Sequence, residues 1–157
     1  MNIDKNQLLE INANIKLKPV TKDDALFLYE LLKNRDPGAN ISHKKMPSYE
    51  EHIEFIKSKP YTSWYIIEYQ KENIGAIYLS RRDEIGITSR MHSPLALEKY
   101  TDSEFFLITT AALKLFMKLN PRKRYLANAS PKNKKLGEFF VKNGFTALQN
   151  VYEISSD

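Results

Sequence analysis

Cysteine is absent from all 157 residues. Without it there is no disulfide, no thiolate metal site and no cysteine nucleophile. Glycine is nearly as scarce, with five in the chain and none between Gly86 and Gly137. A glycine-lined phosphate loop is therefore unavailable in that stretch, because backbone N–H groups approach phosphate closely where no Cβ intervenes. No apolar run approaches the ~20 residues of a membrane span. The opening Met-Asn-Ile-Asp-Lys-Asn lacks the apolar core of a signal peptide. Histidine occurs only as His43, His52 and His92, and no two stand at metal-ligand spacing, so no metal site is expected. These absences lead to the expectation of a cytoplasmic protein with no membrane part.

What is present is ordinary globular material, 42% hydrophobic and 27% charged. The length suits one domain over 1–157, with 1–13 as an N-terminal extension. The net charge of +5 is uneven. Lys114, Lys118, Arg122, Lys123, Arg124, Lys132, Lys134, Lys135 and Lys142 crowd the second half, where acids are few. Such a face suits nucleic acid, an acidic surface, a phosphorylated cofactor, or nothing but solvent. No zinc finger or aromatic RNA-binding signature accompanies it, so nucleic acid is the minority reading.

Hydrophobic spacing divides the chain into alternating elements. Residues 14–20 alternate like a strand, with Pro19 marking a sheet edge. Thr21 caps a helix on which Ala25, Leu28, Tyr29 and Leu32 recur at helical spacing. Residues 34–47 carry Pro, Gly and Asn breakers and read as a loop. Ser48 with Glu51 forms a capping box for a helix through Lys57, with His52 expected on its surface. Strands are predicted over 63–69, 74–80 and 84–88, the first two forming a hairpin.

Residues 89–101 fit no element. Asp102-Ser103 then caps a long helix with Phe106, Thr110, Leu113 and Met117 along one face, and Pro121 ends it. A strand follows over 123–128. Ser130 with Pro131 at the first helical position starts the last helix, which Asn143-Gly144 closes. Residues 145–154 are predicted as a final strand. Elements mixed in this order predict an α/β (α+β) fold whose mostly antiparallel central sheet carries helices on both faces.

The order β-α-α-β-β-β-α-β-α-β from about residue 14 resembles the GNAT acetyltransferases. The C-terminal stretch Tyr125-Leu-Ala-Asn-Ala-Ser-Pro-Lys-Asn133 through Gly144-Phe145 resembles their acyl-CoA-binding half, where an Asn opens the helix and an aromatic stands four residues before the closing Gly. The segments at 61–69, 74–79 and 84–87 resemble the family's central strands. The resemblance implies direct acyl transfer from acetyl-CoA to a small amine, an amino sugar or nucleotide-linked amino sugar being the narrower expectation. It implies a splay between the fourth and fifth strands that admits the pantetheine arm. The arm would meet Ile85, Gly86, Ile87 and Thr88 on one side, and Asn128, Asn133 and Phe140 on the other.

Glu84 is the base the resemblance implies, against the plainer reading of a turn-end carboxylate paired with Arg81 or Arg82. Phe140 holds a position often taken by a Tyr, and a phenyl ring cannot protonate a leaving thiolate. Asn40, Ser42, His43 and Tyr78 are the implied acceptor contacts, although a strand aromatic such as Tyr78 is more often core. A homodimer through the sheet edge is among the partners the resemblance allows.

The chain departs from the family pattern where the pyrophosphate should lie. The family opens its third helix with glycines, whereas this chain places Asp102 and Glu104 there and Leu136 where a small residue is usual. Two readings stand. One is a divergent acyltransferase in which Arg90, Lys99, Lys132 or Lys135 replace the cradle. The other is a binding or scaffolding protein of the same fold that has lost acyl-CoA and uses its basic C-terminal face; a third, weaker variant keeps catalysis with another donor.

Overall fold

The structure, a computed structural model, describes residues 4–34, 45–89 and 100–156. Its first element is helix α1 (Lys5–Asn14), capped by the Asp4 side chain on Asn6 N. Strand β1 (Ile15–Pro19) follows. A 3₁₀ turn at Lys22–Asp24, itself opened by a Thr21–Asp24 capping box, then leads into α2 (Ala25–Lys33). Helix α3 (Tyr49–Lys57) begins with the predicted Ser48–Glu51 capping box. Strands β2 (Ser63–Tyr69), β3 (Glu72–Leu79) and β4 (Glu84–Ser89) precede the long helix α4 (Asp102–Leu119). The short strand β5 (Leu126–Ala127) and helix α5 (Lys134–Lys142) complete the order.

The five strands lie in sequence order, β1-β2-β3-β4-β5. The first three contacts are antiparallel and β4–β5 is parallel. Because side chains alternate across a sheet, the register Tyr65↔Ile77↔Ile87 fixes one face and Trp64↔Tyr78↔Gly86 the other. The first face packs under α1, α4 and α5 through residues such as Ile67, Ile77, Ile85, Ile108, Phe116 and Phe139. The second packs Ile66 and Ala76 under α2 and α3, against Leu28, Leu31 and Ile56. Each fully buried large side chain, Phe116 among them, contributes about 1.5–3 kcal/mol of burial. No helix among the described residues is long and apolar enough to cross a membrane.

Several expectations change. The N-terminal segment contains a helix, and Ile11 sinks it into the core beside α4. Thr101, not Asp102, caps α4. Of the predicted Phe106/Thr110/Leu113/Met117 face only Leu113 is fully buried, and Phe105, Ile108, Ala112 and Phe116 complete the buried face of α4. Phe106 and Thr110 instead receive α5, through the Phe139 ring and the Asn143 side chain. Helix α5 begins three residues later than Pro131, since Ser130 makes a turn and passes the cap to Asn133. Residues 145–156 form no strand. Leu148, Val151, Tyr152 and Ile154 are exposed there.

Candidate active site

Strands β4 and β5 part almost as soon as they meet. Pairing runs only over Glu84↔Leu126 and Ile85↔Ala127, with Leu126 N donating to Asp83 O at 3.0 Å. Strand β4 continues to Ser89, so 86–89 has β3 on one side and no strand of the described residues on the other. An exposed strand edge presents a row of N–H and C=O groups that an extended, amide-bearing ligand can pair with. Of the predicted backbone positions, Gly86, Ile87 and Thr88 lie on this edge, whereas Ile85 pairs with Ala127 of β5. Their side chains alternate, Ile85 and Ile87 packing with the core under α4.

The fork is made by Glu84. Its Oε2 accepts a short hydrogen bond from Asn128 Nδ2. Neither Arg81 nor Arg82 pairs with this carboxylate, and Arg122 takes the neighbouring Asp83, at 2.9 Å. The β3–β4 turn sets the geometry. Ser80 Oγ accepts from Arg82 N and Glu84 N at 3.2 and 3.1 Å, and Asp83 takes a left-handed φ of 59°. Two predicted residues from distant segments, Glu84 and Asn128, are thus brought together where the strands separate.

Glu84 shares its face with Gly86, and Tyr78 lies opposite Gly86 on β3. A Cβ at position 86 would run into the ring and hydroxyl of Tyr78. The glycine lets that ring lie flat on β4, where Tyr61 stacks on it with centroids 3.9 Å apart and planes 11° apart. Trp64 and Phe55 meet Tyr61 edge-on, at 5.0 and 5.9 Å. Tyr78 therefore belongs to an aromatic wall beside the carboxylate on the α2/α3 side.

The other predicted donor contacts divide. Asn133 Oδ1 accepts from Leu136 N at 3.3 Å, capping α5. Phe140 does not reach the splay surface. It is 5% exposed, between Phe139 and Phe145 at 5.5 and 5.2 Å. Lys132, Lys134 and Lys135 are exposed around the same helix start.

Helix α4 begins at the same end of the sheet as the open part of the splay. Tyr100 packs on Tyr69 at the end of β2, and Ser89 pairs with Gly75 just beyond that hairpin turn. At that helix start Thr101 Oγ1 accepts from Glu104 N at 3.1 Å, and Asp102 and Glu104 fill the first turn. Asn40, Ser42 and His43, with Arg90, His92 and Lys99, lie outside the described residues.

His52 departs from its expected surface position. It is 6% exposed, its ring lies 5.5 Å from Tyr29, and its Nε2 has no hydrogen-bond partner among the described residues. Tyr29 also packs edge-on against Tyr49 and donates from its hydroxyl to Pro47 O at 3.1 Å. Burial pulls the His52 pKa below its ordinary value. The signal was present, since His52 stands four residues before Ile56 and shares its helix face. Tyr69 is shifted upward, chiefly by burial, then by the charges of Glu10, Tyr100 and Glu104.

A five-stranded sheet splayed between its fourth and fifth strands, with helices on both faces, is the fold of the GNAT acetyltransferases, as the sequence resemblance implied. Spermidine N-acetyltransferase SpeG from Vibrio cholerae, solved with CoA and spermine, superposes with a TM-score of 0.68 at 16% identity, covering 87% of this chain and 83% of that one. The ribosomal L7/L12 alpha-N-protein acetyltransferase RimL, solved with CoA, gives 0.62 at 14% identity over 85% and 80%. The microcin C7 self-immunity acetyltransferase MccE, solved with acetyl-CoA and AMP, gives 0.58 at 14% over 87% and 81%. No protein-family model matches the chain, and no curated protein matches it in sequence.

Proposed function

We propose that this chain is an N-acyltransferase that moves an acyl group directly from a pantetheine thioester, with acetyl-CoA as donor, to the amine of a small acceptor. The observation that carries the reading is the β4–β5 splay with Glu84 at its fork. The donor supplies an electrophilic thioester carbonyl. The 86–89 edge pairs with the amides of the arm and holds that carbonyl beside Glu84. Glu84 takes a proton from the acceptor ammonium, and the freed nitrogen attacks the carbonyl carbon. The C–N bond forms, the C–S bond breaks, and the proton still in excess on the nitrogen passes through water to the departing thiolate, since Phe140 has none to give. Asn128 orients the carboxylate through the contact already made.

The three structural neighbours acetylate different acceptors by their names, and the acceptor loop of this chain lies outside the described residues. An amino sugar or nucleotide-linked amino sugar remains the narrower proposal for the acceptor, in a cytoplasmic setting. The second reading, a GNAT fold that binds no acyl-CoA, draws support from the self-capped, acidic start of α4. Calorimetric titration with acetyl-CoA separates the two: heat of binding supports the acyltransferase, and silence at millimolar donor supports the second. Acceptors are then screened by thiol release, with polyamines, peptide N-termini and amino sugars in the panel. The chain has no cysteine, so the released thiol is read without a protein background.

A further inference from the structure

The donor of this fold has two ends, and the described residues treat them differently. The arm end meets an open strand edge at 86–89, lined with backbone groups suited to its amides. The nucleotide end would bring a pyrophosphate to the start of α4. A helix start attracts such an anion when its first N–H groups are free, its side chains are neutral or basic, and glycines let phosphate approach. Here Thr101 already occupies Glu104 N, two carboxylates stand in the first turn, and no glycine occurs between Gly86 and Gly137. Among the described residues the arm finds a matching strand edge and the pyrophosphate finds no cradle.

We propose that this chain recognises its donor by the acylated 4′-phosphopantetheine arm and not by the adenine nucleotide behind it. The inference rests on the acyltransferase reading above. The single phosphate at the end of the arm then falls to Lys132, Lys134 and Lys135, exposed around the start of α5 on the chain that leaves β5. None of these lysines has an acidic partner among the described residues. A lone phosphomonoester or phosphodiester suits such point charges, which need no glycine cradle. The same arm occurs in two chemical settings, on free CoA or tethered to an acidic carrier protein, and both present the same phosphate to these lysines.

The test compares CoA, 4′-phosphopantetheine and pantetheine as ligands of the full chain by calorimetry. The S-acetyl forms and an acetylated carrier protein are then compared as donors to one amine. The expected result is that CoA and 4′-phosphopantetheine bind within about threefold of each other, while pantetheine binds at least about tenfold more weakly. Replacing Lys132 and Lys135 with Gln weakens both phosphorylated ligands by the same factor and leaves pantetheine unchanged. Binding of CoA more than about tenfold tighter than 4′-phosphopantetheine overturns the inference while leaving the acyltransferase reading intact. Silence with all three ligands overturns both. If the inference holds, faster transfer from the acetylated carrier protein than from acetyl-4′-phosphopantetheine assigns the tethered source, and equal or slower transfer assigns the free thioester.

Discussion

Glu84 has little to do for the fold beyond its backbone pairing, and its carboxylate faces Asn128 across the fork rather than a cation. Replacing it with Gln preserves shape and a hydrogen-bonding partner while removing the base. Glu84→Gln is therefore expected to lower turnover by about 10²–10⁴-fold with donor affinity unchanged; full turnover in a steady-state assay would remove Glu84 as the base.

Gly86 is constrained by its neighbour, since a methyl group there strikes the Tyr78 ring that Tyr61 holds in place. Gly86→Ala is expected to cost about 1–3 kcal/mol, measured as a lowered urea midpoint, with the aromatic wall displaced. His52 gives a pH dependence. Its folded pKa lies below the ordinary value of 6.5, so the unfolded chain binds the proton more readily. Its contribution is complete above pH 6.5 and is lost as pH falls through that value toward the folded pKa. The wild-type urea midpoint should fall more steeply below this pH than that of His52→Phe, and parallel profiles would rule the effect out. The placement of Glu84, Gly86 and Asn128 around the parting of β4 and β5 was legible because strand order and the family resemblance put them there. The burial of His52 was overlooked because a lone histidine in a charged helix looks solvated until its spacing from Ile56 is weighed.

At the scale of elements, local chemistry was the most readable. Ser48 and Glu51 make the predicted reciprocal cap, with Glu51 N donating to Ser48 Oγ at 3.1 Å. Ser48→Ala is expected to cost about 1 kcal/mol in chemical denaturation, and an unchanged midpoint would mean that tertiary packing alone sets the start of α3. The β2–β3 hairpin was also legible, although its turn places Gln70 and Lys71 at left-handed φ values of 49° and 66°, where glycine would be expected. Element reading erred where tertiary context chose among local signals. Ser130-Pro131 is a proper helix start in isolation, yet its turn hands the cap to Asn133. Residues 145–154 have enough apolar character for a strand, but strand formation needs a neighbouring edge, and β5 pairs over only two residues. The α4 stripe was offset from the most buried face because helical spacing identifies faces without saying what covers them.

Across the whole molecule, the sheet is shared by two hydrophobic layers that alternate residue by residue. Ile66 belongs to the α2/α3 side and Ile67 to the α1/α4/α5 side. Strand β2 cannot leave one layer without disturbing the other, since turning it out exposes both residues at once. Neither α2 nor α3 has another large apolar partner among the described clusters. These facts predict that the layers unfold together, as one domain would. The chain carries its own reporter for the question. Trp64 is its only tryptophan and packs on the α2/α3 side, whereas far-ultraviolet circular dichroism is weighted toward α4, the longest helix, on the opposite side. Urea titrations followed by Trp64 fluorescence and by circular dichroism should give the same midpoint and the same slope. A fluorescence transition at lower urea would mean that the α2/α3 layer, with the aromatic wall beside Glu84, opens before the rest. That wall would then belong to the less stable layer, and a ligand that binds against it should raise the first midpoint.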